Sequence, residues 1–98
     1  MVKTIDVNAK EWFDKVNGNS YFSGEIITDY GTDNQQVYEM PFQYGYGRQY
    51  EDEATNVLNK IGVITDDKVC LSTYCREHNI ILRTYLQKNC KKRDLKNQ

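Results

Sequence analysis

Between Tyr21 and Tyr30 the chain alternates with period two and sets Phe22, Gly24, Ile26, Thr28 and Tyr30 on one side, the pattern of a half-buried strand. Gly31, Thr32, Asp33 and Asn34 are turn formers. In the run that follows, Tyr38, Met40, Phe42 and Tyr44 alternate with Val37, Glu39, Pro41 and Gln43. The two runs predict a β-hairpin. Pro41 has no amide hydrogen to give to a ladder, so its strand is expected at a sheet edge or broken by a bulge.

Helical spacing flanks the hairpin. Asn8 and Glu11 have the separation of a capping box, and Ala9, Trp12, Phe13 and Val16 fall on one helical face. Val7 and Trp12 can close it as a hydrophobic staple, and Asn17-Gly18 supplies a left-handed stop. A first helix is therefore expected over 8–17, with Val2 to Asp6 a candidate short strand before it. Past the hairpin, Ala54, Val57, Leu58 and Ile61 recur at helical spacing, and Glu51, Asp52 and Glu53 occupy the first turn, where the helix dipole favours negative charge. Gly62 ends this second helix. Leu71, Tyr74, Cys75 and His78 share a third helical face, Asn79 takes the stop position, and Ile80 to Leu86 is rich in branched residues and reads as a strand joining the hairpin. The expected fold is α+β: a small antiparallel sheet of hairpin plus C-terminal strand, with two or three helices packed on one face, in the order α-β-β-α-α-β. One domain is expected over 1–87, with a basic, fraying tail at 88–98.

Composition narrows the class. Ninety-eight residues with 39% hydrophobic and 28% charged positions suit one soluble folded domain rather than a disordered chain. No apolar run approaches the length of a membrane span, so no membrane role and a cytoplasmic place are expected. Three cysteines at uneven spacing argue for reduced thiols over a disulfide framework. Charge changes the picture most. Residues 1–67 hold five Lys or Arg against twelve Asp or Glu, and residues 68–98 hold eight against two, so an acidic body precedes a basic end.

Catalytic motifs are absent from the sequence: there is no phosphate loop, nucleophile elbow or paired-histidine metal motif. The single histidine, His78, lies one turn after Cys75, a spacing open to a thiolate–imidazole pair and equally to ordinary packing. Cys70, Cys75, His78 and Cys90 are ligand types for zinc, but Cys90 stands alone beyond a strand, and buried free thiols are the plainer reading. A non-enzymatic protein with no metal or cofactor is expected. Two surfaces remain. The basic end offers Lys88, Lys91, Lys92, Arg93 and Lys96, with Arg76 and Arg83 upstream, as a footprint for phosphates or acidic surfaces. The Tyr44-Gly45-Tyr46-Gly47-Arg48 loop offers flat aromatics with one arginine, suited to stacking on bases or anchoring in a protein pocket, or to a tight strand-to-helix connection.

In order of elements, the stretch from the first helix through the hairpin and loop to the second helix resembles a double-stranded-RNA-binding domain. That resemblance implies phosphate-gripping lysines at the start of the second helix, where this chain carries Glu51, Asp52 and Glu53. The segments Lys10 to Phe22 (KEWFDKVNGNSYF), Pro41 to Gly47 (PFQYGYG) and Asn89 to Lys96 (NCKKRDLK) resemble small uncharacterised proteins of bacteriophages and mobile elements. This second resemblance implies an accessory protein that binds a host protein or nucleoprotein complex, including by occupying nucleic-acid sites on defence complexes. Glu51, Asp52 and Glu53 would then stand in for phosphates, with Tyr44 and Tyr46 as anchors and Arg48 as a directional contact. The alternative is a nucleic-acid-binding module that uses the basic end. Either a monomer or a homodimer fits.

Overall fold

The computed structural model describes residues 2–66 and 68–96, with the side chain of Lys96 outside the described set. Four strands form one sheet in the order β3-β2-β1-β4: β1 Thr4–Asp14, β2 Asn19–Thr28, β3 Gln36–Tyr44 and β4 Ile81–Gln87. The helices are α1 Gln49–Lys60, α2 Leu71–Glu77 and α3 Lys92–Lys96, so the chain runs β-β-β-α-α-β-α.

This order corrects the expected one at its first element. Residues 8–17 are not a helix, because Thr4 to Asp14 form the central strand, paired over ten residues with β2 and over seven with β4. Ile5, Val7 and Ala9 point into the core and are at most 3% exposed, while Thr4, Asp6, Asn8 and Lys10 point the other way. Val7 and Trp12 consequently lie on opposite faces and cannot form a staple. The apparent capping box is a chance spacing on a strand whose second face is polar. The left-handed stop is real in a different role: Gly18, at φ +71°, turns β1 into β2.

A second correction concerns the sheet, which is mixed rather than antiparallel. β1, β2 and β3 form an antiparallel meander, but β4 returns from the helices to lie parallel to β1. Such a return needs a crossover, which α1 and α2 supply. Third, the helices do not share a face. Tyr50, Ala54 and Leu58 of α1 and Leu71, Tyr74 and Cys75 of α2 close the core over Ile5, Val7, Phe22, Ile26 and Met40. α3 packs on the opposite face, where the Ser23 hydroxyl donates to the Leu95 carbonyl at 2.7 Å.

The hairpin, the second helix and the third helical face stand as read from their periodicities, each within a few residues; the last strand forms where expected but lies beside β1 rather than joining the hairpin. Gly24 sits where β1 and β2 approach too closely for a side chain, since a Cβ there would lie 2.2 Å from the Asn8 carbonyl. Pro41 is both at an edge and at a bulge. β3 spends three residues, from Met40 to Gln43, against the two from Gly24 to Phe22. The extra residue flips the side-chain parity. Tyr38 and Met40 face the core, whereas Phe42 and Tyr44 pass to the α3 face.

Candidate functional site

The parity flip at Pro41 creates an aromatic group that sequence patterning does not show. Trp12 of β1 and Tyr21 of β2 are direct cross-strand partners, stacked with ring centroids 5.5 Å apart. Phe42 stacks on Tyr21 at 5.2 Å, and Tyr44 meets it edge-on at 5.8 Å. Together they form a row across three strands, at the end of the sheet that α3 covers.

The basic end is laid onto this row. Cys90 donates its backbone N–H to the Glu11 carbonyl at 3.0 Å, which extends the chain along β1. Asp94 then accepts the Lys91 N–H at 2.9 Å and starts the short helix, whose Leu95 is fully buried. Lys92 holds its ammonium 5.5 Å above the Trp12 ring. Lys88, Lys91, Lys92 and Arg93 are all exposed. Lys92 thus stands over an aromatic ring, and the other three cations flank it along the chain. The side chain of Lys96 lies outside the described residues.

Two other basic candidates do not join this group. Arg83 on β4 forks onto Asp6 at 2.6 and 2.9 Å, and this bond raises its already high pKa. Arg76 belongs to α2, in the helical layer on the other face of the sheet.

The tyrosine loop is pinned rather than free. Gly45 donates to the Ser20 carbonyl at 3.0 Å, Tyr46 to the Gln49 side chain at 2.8 Å and Gly47 to the Glu11 carboxylate at 3.2 Å. Gly45 is needed because a Cβ would run into the Phe22 ring at 2.6 Å, and Gly47 adopts φ +61°. From this rigid base Tyr44 and Tyr46 project, 61% and 64% exposed.

The acidic triad is dispersed by helical geometry. Successive residues turn by about 100° on an α-helix, so Glu51, Asp52 and Glu53 fan around α1. Glu51 is bound by Arg48 at 3.1 Å and is only 15% exposed, and that contact holds the guanidinium firmly protonated. Asp52 is exposed and Glu53 half-buried. Of the three, only Asp52 is exposed, and Glu51 is engaged by Arg48, so they do not present a single acidic cluster.

The thiols and the histidine lie apart. Cys70 is exposed beside the hydroxyls of Ser72 at 3.3 Å and Thr73 at 3.1 Å, which lower its pKa to about 7. Cys75 is buried under α2, and burial pushes its thiol up to about 11. Cys90 is buried on the opposite face of the sheet, with its thiol on the Gln87 carbonyl. The His78 ring stacks on Tyr74 at 4.0 Å, with Nδ1 2.9 Å from the Tyr74 carbonyl. Among the described residues no three His, Cys, Asp or Glu side chains are placed to share a metal ion, and no helix is long and apolar enough to cross a membrane.

No protein-family model, curated protein or solved structure matches the chain. The functional reading therefore stands on the residues themselves. Those that sequence reasoning missed are Trp12, Tyr21 and Phe42. Their signal was the phase of Trp12 with Asp6, Asn8 and Lys10, which a strand reading of 4–14 would have exposed.

Proposed function

We propose that the protein is a non-catalytic binding protein that takes single-stranded nucleic acid at the α3 end of its sheet. The observation that carries this reading is the docking of the basic C-terminal run onto the aromatic row. It sets Lys92 over Trp12, with Lys88, Lys91 and Arg93 exposed along the same run, beside a row that ends in the exposed ring of Tyr44. Single-strand binding combines these two features, cations along the backbone and rings on which bases stack. Four phosphate contacts correspond to a slope of roughly −3 in log affinity against log salt on a single strand.

Fluorescence anisotropy with labelled single- and double-stranded DNA and RNA at two salt concentrations tests this. Reversing Lys91 and Arg93 to Glu should flatten the slope by about 1.4. Tyr44→Ala should cost about 1–3 kcal/mol of affinity while leaving the slope unchanged. Absence of binding at low salt overturns the reading.

A second reading keeps the phage or mobile-element setting and a host nucleoprotein as partner, with Tyr44, Tyr46, Arg48 and Asp52 as the contact surface. It is favoured by the rigid presentation of two exposed tyrosines, the residue type that dominates protein interfaces. Under this reading free nucleic acid does not bind. Tyr46→Ala combined with Asp52→Lys then abolishes binding to a host nucleic-acid-binding complex while the fold is retained.

A further inference from the structure

The two edges of the sheet are unlike. β3 carries Pro41 and a bulge, both of which obstruct the addition of another strand. β4 is a regular seven-residue strand, Ile81–Gln87, with neither device. Its one charge, Arg83, is paired with Asp6 in its own chain and stays more than half exposed. Ile81 and Tyr85 on the same strand are each 60% exposed.

The backbone of β4 has a definite polarity. Ile81 donates to the Lys3 carbonyl at 3.0 Å, so the amides of Ile81, Arg83, Tyr85 and Gln87 face β1 in the parallel ladder. By alternation, those of Leu82, Thr84 and Leu86 face outward, and among the described residues they show no hydrogen bond outside the sheet. Outward-facing groups spaced in this way are a template for one more strand.

We propose that two copies of the chain pair antiparallel through the outer edges of β4, about a two-fold axis at Thr84. The sequence of the strand is self-complementary in that register. Thr84 meets Thr84 of the second copy, and Leu82 meets Leu86, each as a hydrogen-bonded pair made by the outward amides. Between them Arg83 meets Tyr85 on both sides of the axis, a cation–aromatic pair made twice. Leu82 and Leu86 are only partly buried against the core, and the pairing covers their remaining surface. Opposed Thr pairs and apolar pairs are the combinations that stabilise adjacent strands. The product is one continuous sheet of eight strands, with β3 and its proline at either end.

The test is sedimentation velocity of the full chain over a wide range of concentration, with reductant present so that the exposed Cys70 contributes no cross-link. Hydrogen exchange resolved along β4 accompanies it. The wild type should dimerise with rising concentration, and the amides of Leu82, Thr84 and Leu86 should slow as it does. Tyr85→Lys places like charges opposite Arg83 at both crossings and should restore a monomer. In that variant the amides of Ile81 and Arg83 should remain protected, showing that β4 is still paired to β1. A wild type that stays monomeric throughout, including one whose β4 edge takes only an extended segment of another protein, overturns the proposal. So does a dimer that Tyr85→Lys leaves intact.

Discussion

On one face of the sheet, Ile5, Val7, Phe22, Ile26 and Met40 meet a two-helix layer that brings Ala54, Leu58, Leu71, Tyr74 and Cys75. On the other, an aromatic row meets a five-residue helix whose contacts include the buried Leu95 side chain, the Ser23 hydroxyl bond and Lys92 over the Trp12 ring. The first face is continuous apolar packing that joins β1, β2, β3 and β4 to α1 and α2. The second is a local clasp, made by one short helix and the segment leading into it. The expectation is that it opens as a local unit, without unfolding of the sheet. On that expectation global stability resides in one face, and the other carries a separately opening basic segment.

The largest effect should separate the faces directly. Leu58 and Leu95 are both fully buried leucines. Leu58→Ala should lower the unfolding free energy by about 2–5 kcal/mol, as for a leucine removed from a core that only partly collapses. Leu95→Ala should cost less, because a side chain on a segment that can detach loses no more than the free energy of docking that segment. Chemical denaturation gives the first number. The fluorescence of Trp12, the one tryptophan and the ring beneath Lys92, should shift in Leu95→Ala before the sheet unfolds. Equal losses in the two variants, with one coincident transition, would show that the clasp and the core are a single cooperative unit. Ser23→Ala follows in size. It removes the buried hydroxyl that donates to the Leu95 carbonyl and should cost about 1 kcal/mol. The same change in a Leu95→Ala background should cost less, since the bond is absent once α3 has left.

The same contrast explains what the sequence makes legible. β2, α1, α2 and β4 follow from local signals: period-two alternation, helical spacing and left-handed stops at Gly62 and Asn79, whose φ values of +81° and +56° the structure realises. β1 defeats local reading because its outer face is polar apart from Trp12, so Ala9, Trp12 and Phe13 imitate a helical stripe. Its longer pairing is with β2 across the turn that ends at Gly18, where Asn17-Gly18 reads equally as a helix stop and as a hairpin turn, and its parallel pairing with β4 leaves no turn signature at all. For α3 the difficulty is similar. Leu95 is one apolar residue in a basic run, and its burial depends on the aromatic face that β1 helps to create. Of the candidate residues, Tyr44 and Tyr46 were readable as an exposed pair. The i,i+3 spacing of Arg48 and Glu51 carries a signal for their pairing that the reading of both as partner contacts passes over, while the pairing of Arg83 with Asp6 required the β1–β4 register.

The three cysteines sample the comparison without disturbing it, because one lies on each face and one in solvent. Alkylation proceeds through the thiolate. Cys70 is exposed with its pKa lowered to about 7, so about half is ionised at that pH, and its reaction with iodoacetamide should rise through neutrality and level off above. Ser72→Ala removes one of the two hydroxyls that stabilise the thiolate and should move this profile to higher pH. Cys75, buried and pushed up to about 11, should react only as fast as the core opens globally. Cys90 lies under the clasp, so its rate should fall between the two and report detachment of the C-terminal segment. Leu95→Ala should then accelerate Cys90 while leaving Cys75 slow at the same denaturant concentration. If Cys90 and Cys75 accelerate together, the short helix opens only when the whole sheet does, and the two faces are energetically one.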